Sequence, residues 1–221
     1  MSELENRRPI KSRGAGWAQG LAKAMAGAGI APDVISAGSV MFAAAGAASL
    51  VISSLALDQR RSFALLVAAA CVQGRLICNL LDGMVAVEYA RGSSAGPIWN
   101  ELPDRIADLL LLVGAGYAGA MLGQTWAEPL GWLAGALAVL TAYVRELGRG
   151  LGQPADFSGP MAKPHRMAAL TAACVISAFE PLWGGRGQVL LIALAVIAAG
   201  AAWTVVRRVG HLAAGLAKKE S

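Results

Sequence analysis

Between Arg75 and Asp108 the sequence reads RLICNLLDGMVAVEYARGSSAGPIWNELPDRIAD, with its charged and amide side chains at helical spacing. On a helix turning about 100° per residue, Arg75, Asn79, Asp82, Gly83 and Ala86 fall within an arc of about 100°. One face so carries a base, an amide and an acid, followed by two residues almost without side chains, which leaves room for a bulky ligand close to the backbone. Asn100, Glu101, Asp104 and Asp108 share a second arc of about the same width. Carboxylates gathered away from water repel one another and take up protons unless a cation joins them. A hard, oxygen-seeking divalent ion, Mg²⁺ or Mn²⁺, resolves that conflict. The competing reading is a structural polar network in which Arg75 neutralises Asp104 or Asp108 and the amides act as hydrogen-bond glue.

The elements that carry these faces are apolar. The chain has 221 residues, 56% of them hydrophobic and 15% charged, which points to an all-α polytopic membrane protein rather than a soluble domain. Six stretches are long enough to span a bilayer, which takes about 20 residues each: 34–57, 63–87, 98–122, 126–148, 161–182 and 189–206. The short connection 87–97 predicts that the second and third spans are antiparallel neighbours, so that their polar faces meet. Ahead of the spans, WAQGLAKAMA has Trp17, Leu21, Ala22 and Met25 at helical spacing with Lys23 off the stripe, the pattern of an amphipathic helix lying in the interface. These features divide the chain into an N-terminal segment (1–32), a six-helix transmembrane domain (33–208) and a C-terminal tail (209–221).

Basic residues set the orientation. Arg7, Arg8, Lys11, Arg13, Lys23, Arg91, Arg145, Arg149, Lys163, Arg166, Arg207, Arg208, Lys218 and Lys219 collect on one side, against Arg60, Arg61 and Arg186 on the other. Both termini, and with them the polar faces, are expected to face the cytoplasm, where the net charge of +5 favours anionic membrane lipids. The basic residues ring a membrane rim rather than one soluble face, so no nucleic-acid partner is expected. The polar MSELENRRPIKSR start argues against a cleaved signal peptide. Cys71, Cys78 and Cys174 lie in apolar runs without metal-type spacing and read as packing residues. Gly119/Gly123 and Gly131/Gly135 read as close helix packing, and they allow a homodimer without requiring one.

Two basic clusters close the list of candidates. Arg145, Glu146 and Arg149 share one arc at the end of the fourth span, and Lys163, His165 and Arg166 surround Pro164 at the start of the fifth. A helix N-terminus with Lys and Arg is a phosphate seat; the alternative is inward-facing positive charge contacting lipid headgroups. His165 reads as a hydrogen-bonded helper rather than a catalyst.

The spacing N-x2-D-G-x2-A from Asn79, then Gly96 and N-x3-D, resembles the signature of the CDP-alcohol phosphatidyltransferase superfamily, D-x2-D-G-x2-A-R-x8-G-x3-D-x3-D. Asp82, Gly83, Ala86, Gly96 and Asp104 match in register, while Asn79, Val87 and Asn100 stand where the signature has Asp, Arg and Asp. Arg75, Asn79, Glu88, Asn100, Glu101 and Asp108 fit a bacterial subgroup with asparagine at those two places. The resemblance implies six membrane helices, a cytoplasm-facing cavity in the bacterial inner membrane, and a homodimer. It further implies transfer of a phosphatidyl group from a CDP-alcohol, CDP-diacylglycerol first, to a small polar alcohol with release of CMP. Asp104 would be the base, with Asp82, Asn79, Asn100, Asp104 and Glu101 around the metal and Gly83, Ala86, Gly96 and Arg75 around the nucleotide. Arg145, Arg149, Lys163, His165 and Arg166 would hold an acceptor or phosphate. An amide oxygen ligates a hard cation but adds no charge, so metal is expected to bind weakly to the empty protein and firmly with substrate. Two rivals remain: a catalytically inactive homologue that binds lipid or nucleotide and regulates a partner, and a small transporter, for which no inverted repeat is visible.

Overall fold

The computed structural model describes residues 11–56, 58–89 and 94–220. Arg7, Arg8 and Arg91, counted above for orientation, lie outside them, as do the side chains of Lys11 and Lys219. Among the described residues the regular structure is helical: α1 (Gly16–Gly27), α2 (Pro32–Leu55), α3 (Asp58–Glu88), α4 (Gly96–Met121), α5 (Ala127–Gly150), α6 (Lys163–Ser177) and α7 (Gln188–Glu220), with short 3₁₀ turns at Lys11–Gly14 and Glu180–Trp183. From α2 onward the helices alternate in direction. Proline opens several of them where its missing N–H costs nothing, as at Pro32 of α2, Pro97 of α4 and Pro164 of α6.

Four helices, α2, α3, α5 and α7, are long and apolar enough to cross a membrane. The other two expected spans form helices but fall outside that measure. α4 carries Glu101, Asp104, Arg105 and Asp108 in its first half. α6 has 15 residues, about 22 Å of helix against a hydrocarbon core of about 30 Å.

Packing depends on small residues. α2 presents Ser36, Ser39, Ala43, Gly46, Leu50 and Ser53 as one buried stripe. A Cβ on Gly46 would meet Leu111 of α4 at 2.9 Å and Cys71 of α3 at 3.0 Å, so this one glycine admits both helices. α2 is therefore wedged between α3 and α4, and it packs more extensively on each than they pack on one another. The polar faces of α3 and α4 meet as expected, but their direct contact is short and concentrated where Arg75 and Asn79 reach Asp104 and Asp108. α5 lies on α4 through glycine, with Gly131 so close that a Cβ would sit 2.8 Å from the Leu112 carbonyl oxygen. Gly119 and Gly135 pack in the same seam against Ala127 and Leu109, whereas Gly123 serves a turn at φ +95°. α1 lies across α3 with Ala18, Ala22 and Ala26 buried beside Leu80, Leu81, Met84 and Val85. Ala22 thus belongs to the inward face, while Trp17 and Leu21 are exposed on the other.

The three cysteines are free; Cys71 and Cys174 are buried and Cys78 is half-buried, as packing residues should be. At the end of the bundle away from the polar faces, Glu180 is fully buried. It accepts hydrogen bonds from the Gly187 and Val189 amides and from Arg61 Nη2 at 2.5 Å. Arg61 is thus tied into the fold by a buried ion pair, which also starts α7.

Candidate active site

The polar faces meet where α2 and α4 begin and α3 ends. Arg75, fully buried, donates through Nη2 to Asp108 Oδ1 at 2.6 Å, to Asp104 Oδ1 at 3.3 Å and to the Asp104 carbonyl oxygen at 3.1 Å. The other oxygen of Asp108 accepts from Arg166 Nη2 at 2.8 Å. Arg166 is anchored in turn by the Met161 carbonyl oxygen and Thr141 Oγ1. Asp108 is therefore clamped between two guanidinium groups, each nearly inaccessible. Removing one member of such a buried pair leaves an uncompensated charge, a loss of about 3–5 kcal/mol.

Asp104, one turn earlier on α4, receives the Asn79 amide and the Lys163 ammonium. Asp82 accepts from Ser36 Oγ at 2.7 Å through Oδ2, and Asp104 and Lys163 lie within electrostatic reach of it. Two buried oxygens on this face have no hydrogen-bond partner: Asn79 Oδ1 and Asp82 Oδ1. They project from consecutive turns of α3, neighbours at i, i+3. Buried polar atoms are nearly always satisfied, and an exception points to a missing ligand, water or ion. The donor chemistry, one carboxylate and one amide oxygen, is that of a hard divalent cation.

The remaining residues divide. Glu101 does not turn to α3; it accepts from Arg145 Nη2 of α5 at 2.5 and 2.6 Å and from Arg105. Arg145 also bonds Glu146 at 2.8 Å and lies 5.4 Å above the Phe157 ring. Arg149 pairs with Glu146 at 2.9 Å on the exposed flank. Asn100 and His165 are exposed at the rim, Gly83, Ala86 and Gly96 are half-buried, and Glu88 faces outward. The three acids that share a stripe on α4 are thus separated by their partners, because α5 and α6 bring arginine and lysine between them. Among the described residues no three His, Cys, Asp or Glu side chains gather as a metal site; a cation here relies on the amide as well as on carboxylate.

Three features escape a reading of the sequence. Ser36 bonds Asp82 from α2, and Thr141 steadies Arg166 from α5. Beside them a cavity of about 290 Å³ opens between the end of α5, the 151–162 connection and α7, with Arg145, Asp156, Arg208 and His211 in its wall. Arg208 donates to the carbonyl oxygens of Ser158 and Thr141, and His211 Nδ1 lies 3.0 Å from Asp156 Oδ2. Partial burial works to raise the Asp156 carboxyl, but hydrogen bonds from Ser158 and His211 outweigh it and hold it below the ordinary carboxylate value.

The helical arrangement of the bundle is found in solved structures. The chain is similar to three structures of the Mycobacterium tuberculosis phosphatidylinositol phosphate synthase. One, with CDP-DAG bound, has 19% identity and a TM-score of 0.73, covering 88% of this chain and 92% of that one. A second, in complex with manganese and citrate, has 19% identity, a TM-score of 0.70 and 88% coverage of each chain. The apo form has 20% identity and a TM-score of 0.67 over 87% and 93%. No protein-family model matches the sequence, and comparison with curated proteins finds no match.

Proposed function

We propose that the protein is a membrane transferase of the CDP-alcohol phosphatidyltransferase kind. It moves a phosphatidyl group from a CDP-alcohol, CDP-diacylglycerol in the first instance, to a small polar alcohol and releases CMP, a step of phospholipid synthesis. One observation carries this reading: the unpartnered, buried Asn79 Oδ1 and Asp82 Oδ1 stand beside Asp104. They do so in a fold whose solved examples include one with CDP-DAG bound and one with manganese.

Asn79 and Asp82 would hold Mg²⁺ or Mn²⁺, with Asp104, Asn100 and Glu101 the further candidate ligands. The ion, when bound, stabilises charge on the pyrophosphate leaving oxygen. Asp104 accepts the proton of the attacking hydroxyl. Arg75 holds that carboxylate from its buried side, and its bond to Asp108 fixes the rotation of α4 against α3. Gly83, Ala86 and Gly96 leave space for the nucleotide close to the backbone. Arg145, Arg149, Lys163, His165 and Arg166 surround the acceptor side. Of these, Arg166 acts through Asp108, because it is buried and already bonded, whereas Lys163, His165 and Arg149 are accessible to an incoming phosphate.

The placement in the bacterial inner membrane follows the same reading. It has α2 to α7 as six passes across 33–208, α1 in the interface with Trp17 and Leu21 outward, 209–221 as the tail, and the site facing the cytoplasm in a homodimer. A specific observation favours the second reading, an inactive homologue that binds lipid or nucleotide: both Asp104 oxygens already accept bonds from Asn79, Arg75 and Lys163. CMP release from CDP-diacylglycerol, measured in detergent with Mn²⁺, separates the two. The transferase reading expects wild-type turnover that Asp104→Asn reduces at least about 100-fold; equal background rates for both proteins would establish the inactive homologue.

A further inference from the structure

The bonded network at the site brings positive charge of its own. Asp108 is bonded by Arg75 and Arg166, and Asp104 by Arg75 and Lys163, while Arg105, 3.8 Å from Asp104 Oδ2, and Arg145 share Glu101. A site of four carboxylates would need two divalent ions to balance it; here side chains of the protein supply much of that positive charge. Resting on the proposed transferase reading, we infer that the site takes one divalent cation per chain, with the Lys163 ammonium supplying at Asp104 the positive charge that a second ion would bring.

The distribution of oxygens leads to the same place. Both Asp108 oxygens are bonded by guanidinium groups. Asp104 Oδ1 accepts from Asn79 and Arg75, and its Oδ2 from Lys163. That leaves the buried pair Asn79 Oδ1 and Asp82 Oδ1 for one ion. A second ion would have to take Asp104 Oδ2 from Lys163. The three cations also differ in freedom. Arg75 and Arg166 have side chains 0% and 3% exposed, whereas that of Lys163 is 24% exposed. An ammonium on a flexible four-carbon stem is a movable point charge, unlike a planar guanidinium enclosed by the bundle. Lys163 can turn partly toward an incoming phosphate and bridge it to Asp104 while the two arginines stay with Asp108, so its charge remains at the site when substrate enters.

The test counts ions directly. Full-length protein in detergent is titrated with Mn²⁺, with and without CDP-diacylglycerol, and free Mn²⁺ is read by electron paramagnetic resonance. The inference expects wild type to saturate at one Mn²⁺ per chain with CDP-diacylglycerol present. Lys163→Gln should bind Mn²⁺ at least about tenfold more tightly than wild type in the absence of lipid, because a neighbouring positive charge is gone. Lys163→Arg, which keeps the charge, should match wild type in that measurement. Two Mn²⁺ per wild-type chain would overturn the inference and leave the transferase reading standing, as would a Lys163→Gln affinity equal to that of wild type. No Mn²⁺ on wild type, even with CDP-diacylglycerol, would overturn the metal-assisted transferase reading and this inference with it. The wild-type count needs no variant to fold.

Discussion

At the scale of single residues, the site combines a rigid part and a part left open. Asp108 belongs to the rigid part, held by Arg75 and Arg166; Asn79 and Asp82 belong to the open part, each with one buried oxygen unbonded. Asn79→Asp together with Asn100→Asp adds two negative charges, one in the open part and one at the exposed rim. The double variant should bind Mn²⁺ more tightly in the absence of lipid, visible as a larger metal-dependent rise in thermal unfolding temperature; no change in that rise would contradict the role given to the amides. Ser36→Ala removes the bond that holds Asp82 Oδ2 and leaves a buried carboxylate with neither oxygen paired by a neighbouring hydroxyl. A loss of about 1–3 kcal/mol in metal-free stability is expected from denaturant unfolding. Much of this was legible in the sequence. Charge is costly in an apolar span, so the phase of Arg75, Asn79 and Asp82 on one helix, and of Asp104 and Asp108 on the next, marked the two faces. Ser36 was not legible, because one serine on a stripe of small residues looks like packing. Nor was the fate of Glu101, which depends on whether the rotation of α4 offers it to α3 or to Arg145 of α5.

Among the elements, glycine and alanine decide which helices touch. Gly46 is a close contact of α2 with both α3 and α4, and Gly131 brings α5 against the α4 backbone. Gly131→Ala places a methyl group 2.8 Å from a main-chain oxygen, which cannot move without moving α4. A destabilisation of about 1–3 kcal/mol is expected in unfolding measurements in detergent. The wedge position of α2 was hidden from the sequence for a physical reason: a short connection fixes which helices follow one another, not which third helix fits between them. At the far end, Glu180→Gln leaves Arg61 buried without its carboxylate and should cost about 3–5 kcal/mol. The 151–162 connection offers a pH-dependent case. Because Asp156 is held below its ordinary value, its contribution to stability is fully present above about pH 4, the unfolded carboxylate value, and is lost as the pH falls through the lower folded value. Hydrogen exchange in 151–162 should therefore stay constant from pH 7 to 5, after correction for intrinsic rates, and increase only in stronger acid. Asp156→Asn should show the open behaviour at neutral pH.

Taken whole, the molecule is an apolar bundle with the Arg75, Asp104, Asp108, Lys163 and Arg166 network at one end and the Arg61–Glu180 pair at the other. The arrangement of helices is shared with solved phosphatidylinositol phosphate synthases at 19–20% identity, a distance at which a bundle persists while side chains are replaced. The fixed spacing of Asp82, Gly83, Ala86, Gly96 and Asp104 was readable in advance, and Asp82 and Asp104 lie at one end of the bundle. The bonds of Lys163 to Asp104 and of Arg166 to Asp108 were not readable, since those residues lie 59 and 58 positions from the aspartates they meet. The most direct measurement is CMP release by the purified protein from CDP-diacylglycerol with a mixture of polyol acceptors, before and after chelation and after Mn²⁺ is restored. The account predicts release that chelation abolishes, that Mn²⁺ restores, and that Asp82→Asn lacks at every metal concentration. Release indifferent to chelation and to Asp82→Asn, or none above background in the wild type, would contradict it.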